Sequence, residues 1–259
     1  MDAKIKKKSQ VTVFIIIALM IVLAILLLFF VNYLPKMERA DDSNPQYTQA
    51  TIESCTRQAT EEAIRLLSIH GGDITAEGSV TYEDEQIAYL CYNSNFYETC
   101  VNQKPLLIEH IEKEITTFVT PRIDKCFSEL EYKLRNDGRY DIEDSGKMYV
   151  KTSLFPKQVI VEIERKVTFA KGEEVRKFDD FKMIMIHPIY NLAKIASEIV
   201  NQNTAFCHFD LLGFMIMNPA YDITETITGN ADKIYVVKER QTGQGFNFAI
   251  KTCPLPPGY

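Results

Sequence analysis

The sequence predicts a single N-terminal transmembrane helix plus an α+β extracytoplasmic domain with an antiparallel sheet. Three observations predict it. Residues Val11 to Val31 run for 21 positions without a charge. Beyond them, helical periodicity and strand alternation succeed one another along the chain. All six cysteines fall after the apolar run, and an even count in an exported region reads as a disulfide framework.

The apolar run sets the expected topology. At about 1.5 Å per residue, a helix of that length crosses a hydrocarbon core of roughly 30 Å. It exceeds the roughly 7–15 residues of a removable signal core. Its exit, Phe29-Phe30-Val31-Asn32-Tyr33-Leu34-Pro35, offers no small-x-small cleavage step, so it reads as a retained anchor. Lys4, Lys6, Lys7 and Lys8 oppose only Asp2 in the first ten residues, while the whole chain carries a net charge of -6. Basic flanks stay on the cytoplasmic side. The expected segments are a basic cytoplasmic stretch (1–10), a transmembrane helix (11–31), a stalk (32–47), a mainly helical part (48–134) and a strand-rich part (135–259). The expected location is the cell membrane, single-pass, with the C-terminal domain outside and the lipid bilayer as a partner. An acidic exported region excludes a nucleic-acid backbone, which needs clustered positive charge.

The junction reads Lys6-Lys7-Lys8-Ser9-Gln10-Val11-Thr12-Val13-Phe14. This resembles the archaeal class III signal of type IV pilin-like proteins over residues 6–31. The resemblance implies cleavage between Ser9 and Gln10, with the apolar helix kept as an anchor or packed in a filament. Phe14 stands where many members carry Glu. An ordinary signal anchor is the other reading of the same residues. The remainder is similar to uncharacterised single-span surface proteins of small-genome archaea, a likeness that implies no activity.

The elements follow in order. Ile52, Cys55, Ala59, Ala63 and Leu66 or Leu67 recur at helical spacing, and Gly71-Gly72 supplies the stop. Ser79 to Tyr82 and Gln86 to Tyr92 form a hairpin across Glu83-Asp84-Glu85. A helical segment from about Lys104 to Leu134 contains Pro121, which should kink or divide it. Alternation from Val159 to Phe169 predicts a strand, with a return strand at Val175 and a further strand from Met183 to Ile186. Pro188 opens a helix carrying Ile189, Leu192, Ala196 and Ile199 on one face. Ile223 to Ile227 and Ile234 to Val237 pair across Thr228-Gly229-Asn230, and Phe246 to Ile250 is the last strand. The apolar run Phe209 to Met217 reads as core, with a subunit contact as the alternative.

Cys55 and Cys126 sit on apolar helical faces, so a bridge between the two helices is possible. Cys91 and Cys100 could close a local loop, and Cys207 with Cys253 would tie the last helix region to the final strand. Buried reduced thiols are the competing reading. There is no Cys-x-x-Cys, and His70, His110, His187 and His208 form no His-x-x-x-His pair, so redox and zinc chemistry lack their usual spacing. A site at Cys207, His208 and Asp210 is outweighed by a loop held by Cys207. No cofactor, metal or catalytic residue is expected.

The rings of Tyr89, Tyr92, Phe96 and Tyr97 can serve recognition or strand packing. The sequence therefore points to a non-enzymatic, membrane-anchored surface structural or interaction protein, pilin-like in its leader, self-assembling or contacting other surface proteins. The alternatives are a membrane-tethered receptor-like module for a solute, envelope polymer or membrane protein, and an exported hydrolase.

Overall fold

Alternating apolar side chains build the longest sheet. β4 (Asp141–Phe155), β5 (Gln158–Lys171) and β6 (Glu174–Ile186) form an antiparallel meander. Rows Val150–Ile163–Phe181, Thr152–Val161–Met183 and Leu154–Val159–Met185 point inward and are buried. Lys151–Glu162–Lys182 and its neighbouring rows point the other way, as a period of two requires. A computed structural model describes this architecture for residues 16–27, 45–95, 97–136 and 140–253.

The chain divides into two units, residues 1–47 and 48–259. In the first, α1 covers residues 16–27, and all twelve are exposed. In the second, α2 (Pro45–Ile69), which belongs to it from Thr48 onward, leads into a hairpin of β1 (Ser79–Tyr82) and β2 (Glu85–Tyr92), then β3 (Val101–Asn102) and α3 (Leu107–Asn136). After the meander come α4 (Ile189–Phe206), α5 (Leu211–Met217), β7 (Tyr221–Ile227), β8 (Lys233–Glu239) and β9 (Gly245–Lys251). The second sheet runs β1-β2-β9-β8-β7, with β3 on β2. β2 and β9 pair in parallel, against the expectation of an antiparallel sheet throughout. This follows from the long connection that brings the last strand beside an early one. The α+β class is shown, and the expected helical and strand-rich parts lie in one unit.

The membrane topology is corrected. No helix among the described residues is long and apolar enough to cross a membrane. The remainder of the expected span Val11–Val31 lies outside the described residues, as do Ser9, Gln10 and the C-terminal tail. The expected single transmembrane helix, the cell-membrane location and the lipid bilayer as partner therefore do not stand. The membrane-anchored, pilin-like and membrane-tethered readings of function fall with them.

Three local expectations also change. Pro121 lies inside a single α3 and does not divide it. Proline removes the donor at its own position and crowds the preceding turn, and there Arg122 Nη1 donates to Phe118 O at 2.9 Å while its guanidinium stacks on the Phe118 ring. β4 was hidden because its first half, Asp141 to Met148, is polar and bulged between Asp144 and Met148. The run from 211 to 217 is not core: α5 has no buried residue, and Leu212, Ile216 and Met217 are 71%, 77% and 78% exposed. Asp210 Oδ1 caps it, accepting from Gly213 N at 3.0 Å, so a capped surface turn satisfies the backbone and only Phe209 before it is buried.

Candidate functional site

α2 stops where the sequence says it must. Gly71 and Gly72 have φ of 69° and 89°, in the left-handed region that favours glycine. A Cβ at Gly72 would come within 3.0 Å of Leu107 Cδ1, and one at Gly71 within 3.1 Å of Ala88 O. Both positions need glycine for torsion; at Gly71 the close neighbour is fixed backbone, while at Gly72 the Leu107 side chain would have to shift. This turn delivers Asp73 into a cleft of about 780 Å³.

Asp73 is the centre of the site. Its Oδ1 accepts from Lys104 Nζ at 2.6 Å and from His110 Nε2 at 2.7 Å. Lys104 Nζ also donates to Gly71 O at 3.2 Å. Burial acts to raise the Asp73 carboxyl, but the hydrogen bonds from His110 and Lys104 outweigh it and hold the group below its ordinary value. Lys104 is pulled down by burial against the opposing pull of Asp73. The next residue is fixed from the facing helix: Ile74 N donates to Glu114 Oε2 at 2.9 Å, and His70 Nδ1 donates to Ile74 O at 3.0 Å.

The opposite wall comes from β2 and the segment after β3. Tyr89 and Tyr92 meet edge to face with ring centroids 5.1 Å apart. The Tyr89 hydroxyl donates to Asp232 at 2.9 Å, and burial pushes that hydroxyl far above its usual value. Tyr92 is 39% exposed and lines the cleft with Glu77, Gln103 and Glu114. Gln103 N donates to Leu90 O at 2.8 Å, and Lys104 N to Asn102 Oδ1 at 2.9 Å. These bonds fix the segment that carries Lys104.

The cysteines form three pairs in the structure. Cys91 and Cys100 join β2 to the start of β3 beside Tyr92, with Cα atoms 5.4 Å apart. Cys55 joins Cys126 between α2 and α3 (6.6 Å), and Cys207 joins Cys253 between the end of α4 and the second residue after β9 (5.5 Å). Cys207 is thus held in a bridge, and no group of three metal-ligating side chains occurs among the described residues.

Of the residues singled out in the sequence, the structure brings Tyr89, Tyr92 and His110 to the cleft. Tyr97 is solvent-exposed and away from its lining. Asp73, Lys104 and His110 carry no mutual spacing signal, because 31 and 37 positions separate the two basic residues from Asp73. The usable signal was the Gly71-Gly72-Asp73 stop. No protein-family model, no curated protein and no solved structure matches the chain.

Proposed function

We propose that residues 48–259 form a non-catalytic recognition module that holds a small ligand bearing an ammonium group in the Asp73 cleft. The observation behind it is a charge imbalance. Three carboxylates, Asp73, Glu77 and Glu114, line the cleft with two basic side chains, Lys104 and His110. Both basic groups turn onto Asp73, and no ion pair holds Glu77 or Glu114 among the described residues. An anionic ligand would meet Glu77 and Glu114, of which Glu114 alone feels the Lys104 charge and receives the Ile74 amide. A cation would meet them with favourable sign, and the Tyr92 ring could add about 0.5–1 kcal/mol as a cation–π contact at an exposed site.

The test is an NMR titration of the Tyr92 ring and His110 imidazole signals. Putrescine and tetramethylammonium are the cationic probes, with erythritol and succinate as neutral and anionic comparators. The cationic probes should move both signals, and combining Glu77→Gln with Glu114→Gln should weaken binding by about tenfold or more. The glutamine at 114 keeps an oxygen for Ile74 N, so the fold is retained. Preferential binding of erythritol or succinate would overturn the ligand class, and silence from all four probes would overturn the site.

A further inference from the structure

Arg165 is almost fully buried, 5% exposed, on the inward face of β5. Its Nε lies 3.0 Å from Asp144 Oδ2, and its Nη2 also bonds that oxygen. Its Nη1 lies 2.6 Å from Asp124 Oδ1, and its guanidinium covers the Phe127 ring at 4.5 Å. A third carboxylate, Glu131, approaches Nη2 at 3.8 Å. One guanidinium therefore faces three acids from two elements. Glu131 Oε1 is buried without a hydrogen-bond partner among the described residues. Glu131 Oε1 and Asp144 Oδ2 both face Arg165 Nη2, so two carboxyl groups converge on one nitrogen, and one can hydrogen-bond the other only when it carries a proton.

Both flanking strand pairs lose register here. β4 bulges between Asp144 and Met148, and the β5–β6 pairing shifts between Glu164 and Val167. The ladder is thus weakest where the charged cluster holds it.

We propose that the Glu131–Asp144 carboxyl pair, clamped on Arg165, is a pH-sensitive latch that ties the C-terminal half of α3 to the bulged ends of β4 and β5 and loosens as pH rises. The charged groups around it are known on each side. α3 contributes Asp124 and Arg135, whose Nη2 donates to Ile142 O at 2.7 Å. β4 contributes Asp144 and Lys147, β5 contributes Glu164, Arg165 and Lys166, and β6 contributes Asp179 and Asp180.

Burial first, then the Asp144 contact, pushes Glu131 up to about 7. Burial opposes ionisation of Asp144 too, but Arg165, Glu131 and the Gly146 amide overcome it and hold Asp144 down at about 2. The protons belong to the pair. The raised acid stabilises the fold fully below its ordinary value of 4.5 and loses that contribution as pH rises through about 7. The depressed acid contributes above 3.8 and is lost as pH falls through about 2. The latch is therefore closed between these limits and opens on the alkaline side.

Amide hydrogen exchange on the full chain tests this, read at residues 141–148 and corrected for the intrinsic rate. Protection there should fall about tenfold or more between about pH 5.5 and about pH 8.5, with β8 and β9 unchanged. Glu131→Gln keeps an N–H donor for Asp144 and should hold the latch closed across that range. Unchanged protection in the native chain, or a persisting pH dependence in Glu131→Gln, would overturn the proposal. As a second readout, the ¹³C carboxyl signal of Glu131 should titrate near neutrality; a flat signal across that range would also overturn it.

Discussion

Lys104 Nζ sits 2.6 Å from Asp73 Oδ1, and the two side chains are only 13% and 9% exposed. The pair lies directly after the Gly71-Gly72 turn, so it fastens the end of α2 to the segment that follows β3. An ion pair this enclosed differs from a surface pair, because removing one partner strands the other away from water.

Asp73→Asn should therefore destabilise the unit by about 2 kcal/mol, the order expected for hydrogen bonds to a charged group. Lys104→Met added to it should recover part of the loss, since the enclosed ammonium is then no longer left without its carboxylate. Urea unfolding of the two variants and the double variant measures the coupling. Independent, additive losses would show that the pair does not act as a unit. The pH dependence has the sign of a depressed acid: its contribution is present above the ordinary value of 3.8 and fades as pH falls below it.

The open edge of β4 leads to a second prediction. Leu154 N donates to Glu112 Oε1 at 2.7 Å and Thr152 N donates to Thr116 Oγ1 at 3.2 Å. α3 thus caps two donors that a free sheet edge would otherwise present to another chain. Glu112→Ala should cost about 1–2 kcal/mol through the stranded Leu154 donor. It should also raise the tendency to associate at high concentration, read by light scattering. Glu112→Gln, which retains an acceptor, should do neither. Equal behaviour of the two variants would assign the effect to charge and not to the edge.

Local regularities of the sequence carried the elements but not the site. The helical spacing of Ile111, Ile115, Ile123 and Leu130, and the alternation of Val159, Val161 and Ile163, reappear as buried faces. These signals act within a few residues, where geometry links spacing to direction. β4 escaped because its bulge at Asp144 interrupts the alternation. The cleft escaped for another reason. Asp73, Lys104 and His110 meet only because a glycine turn, a two-stranded pairing and a long helix converge, and no local pattern encodes that convergence. The long uncharged run was legible as composition; residues 16–27 of it lie among the described residues, where no helix is long and apolar enough to cross a membrane.

The disulfides give a last prediction, because they close loops of different length. Cys91 and Cys100 are 9 positions apart, and Cys55 and Cys126 are 71 apart. In the loop-entropy account, the short bridge contributes about 2.5–3 kcal/mol and the long one about 4–4.5 kcal/mol. Replacing Cys55 and Cys126 together by alanine should therefore lower stability more than replacing Cys91 and Cys100 together. The effect on the cleft should be reversed. Cys91 neighbours Tyr92 on β2, while the segment after Cys100 leads through Gln103 to Lys104. Loss of the short bridge should broaden the Tyr92 ring signals and loosen Lys104. Loss of the long bridge should leave them sharp in the folded protein. Chemical unfolding ranks the two pairs, and the Tyr92 spectrum separates them. If both double variants leave the Tyr92 signals alike, the short loop does not shape the cleft wall.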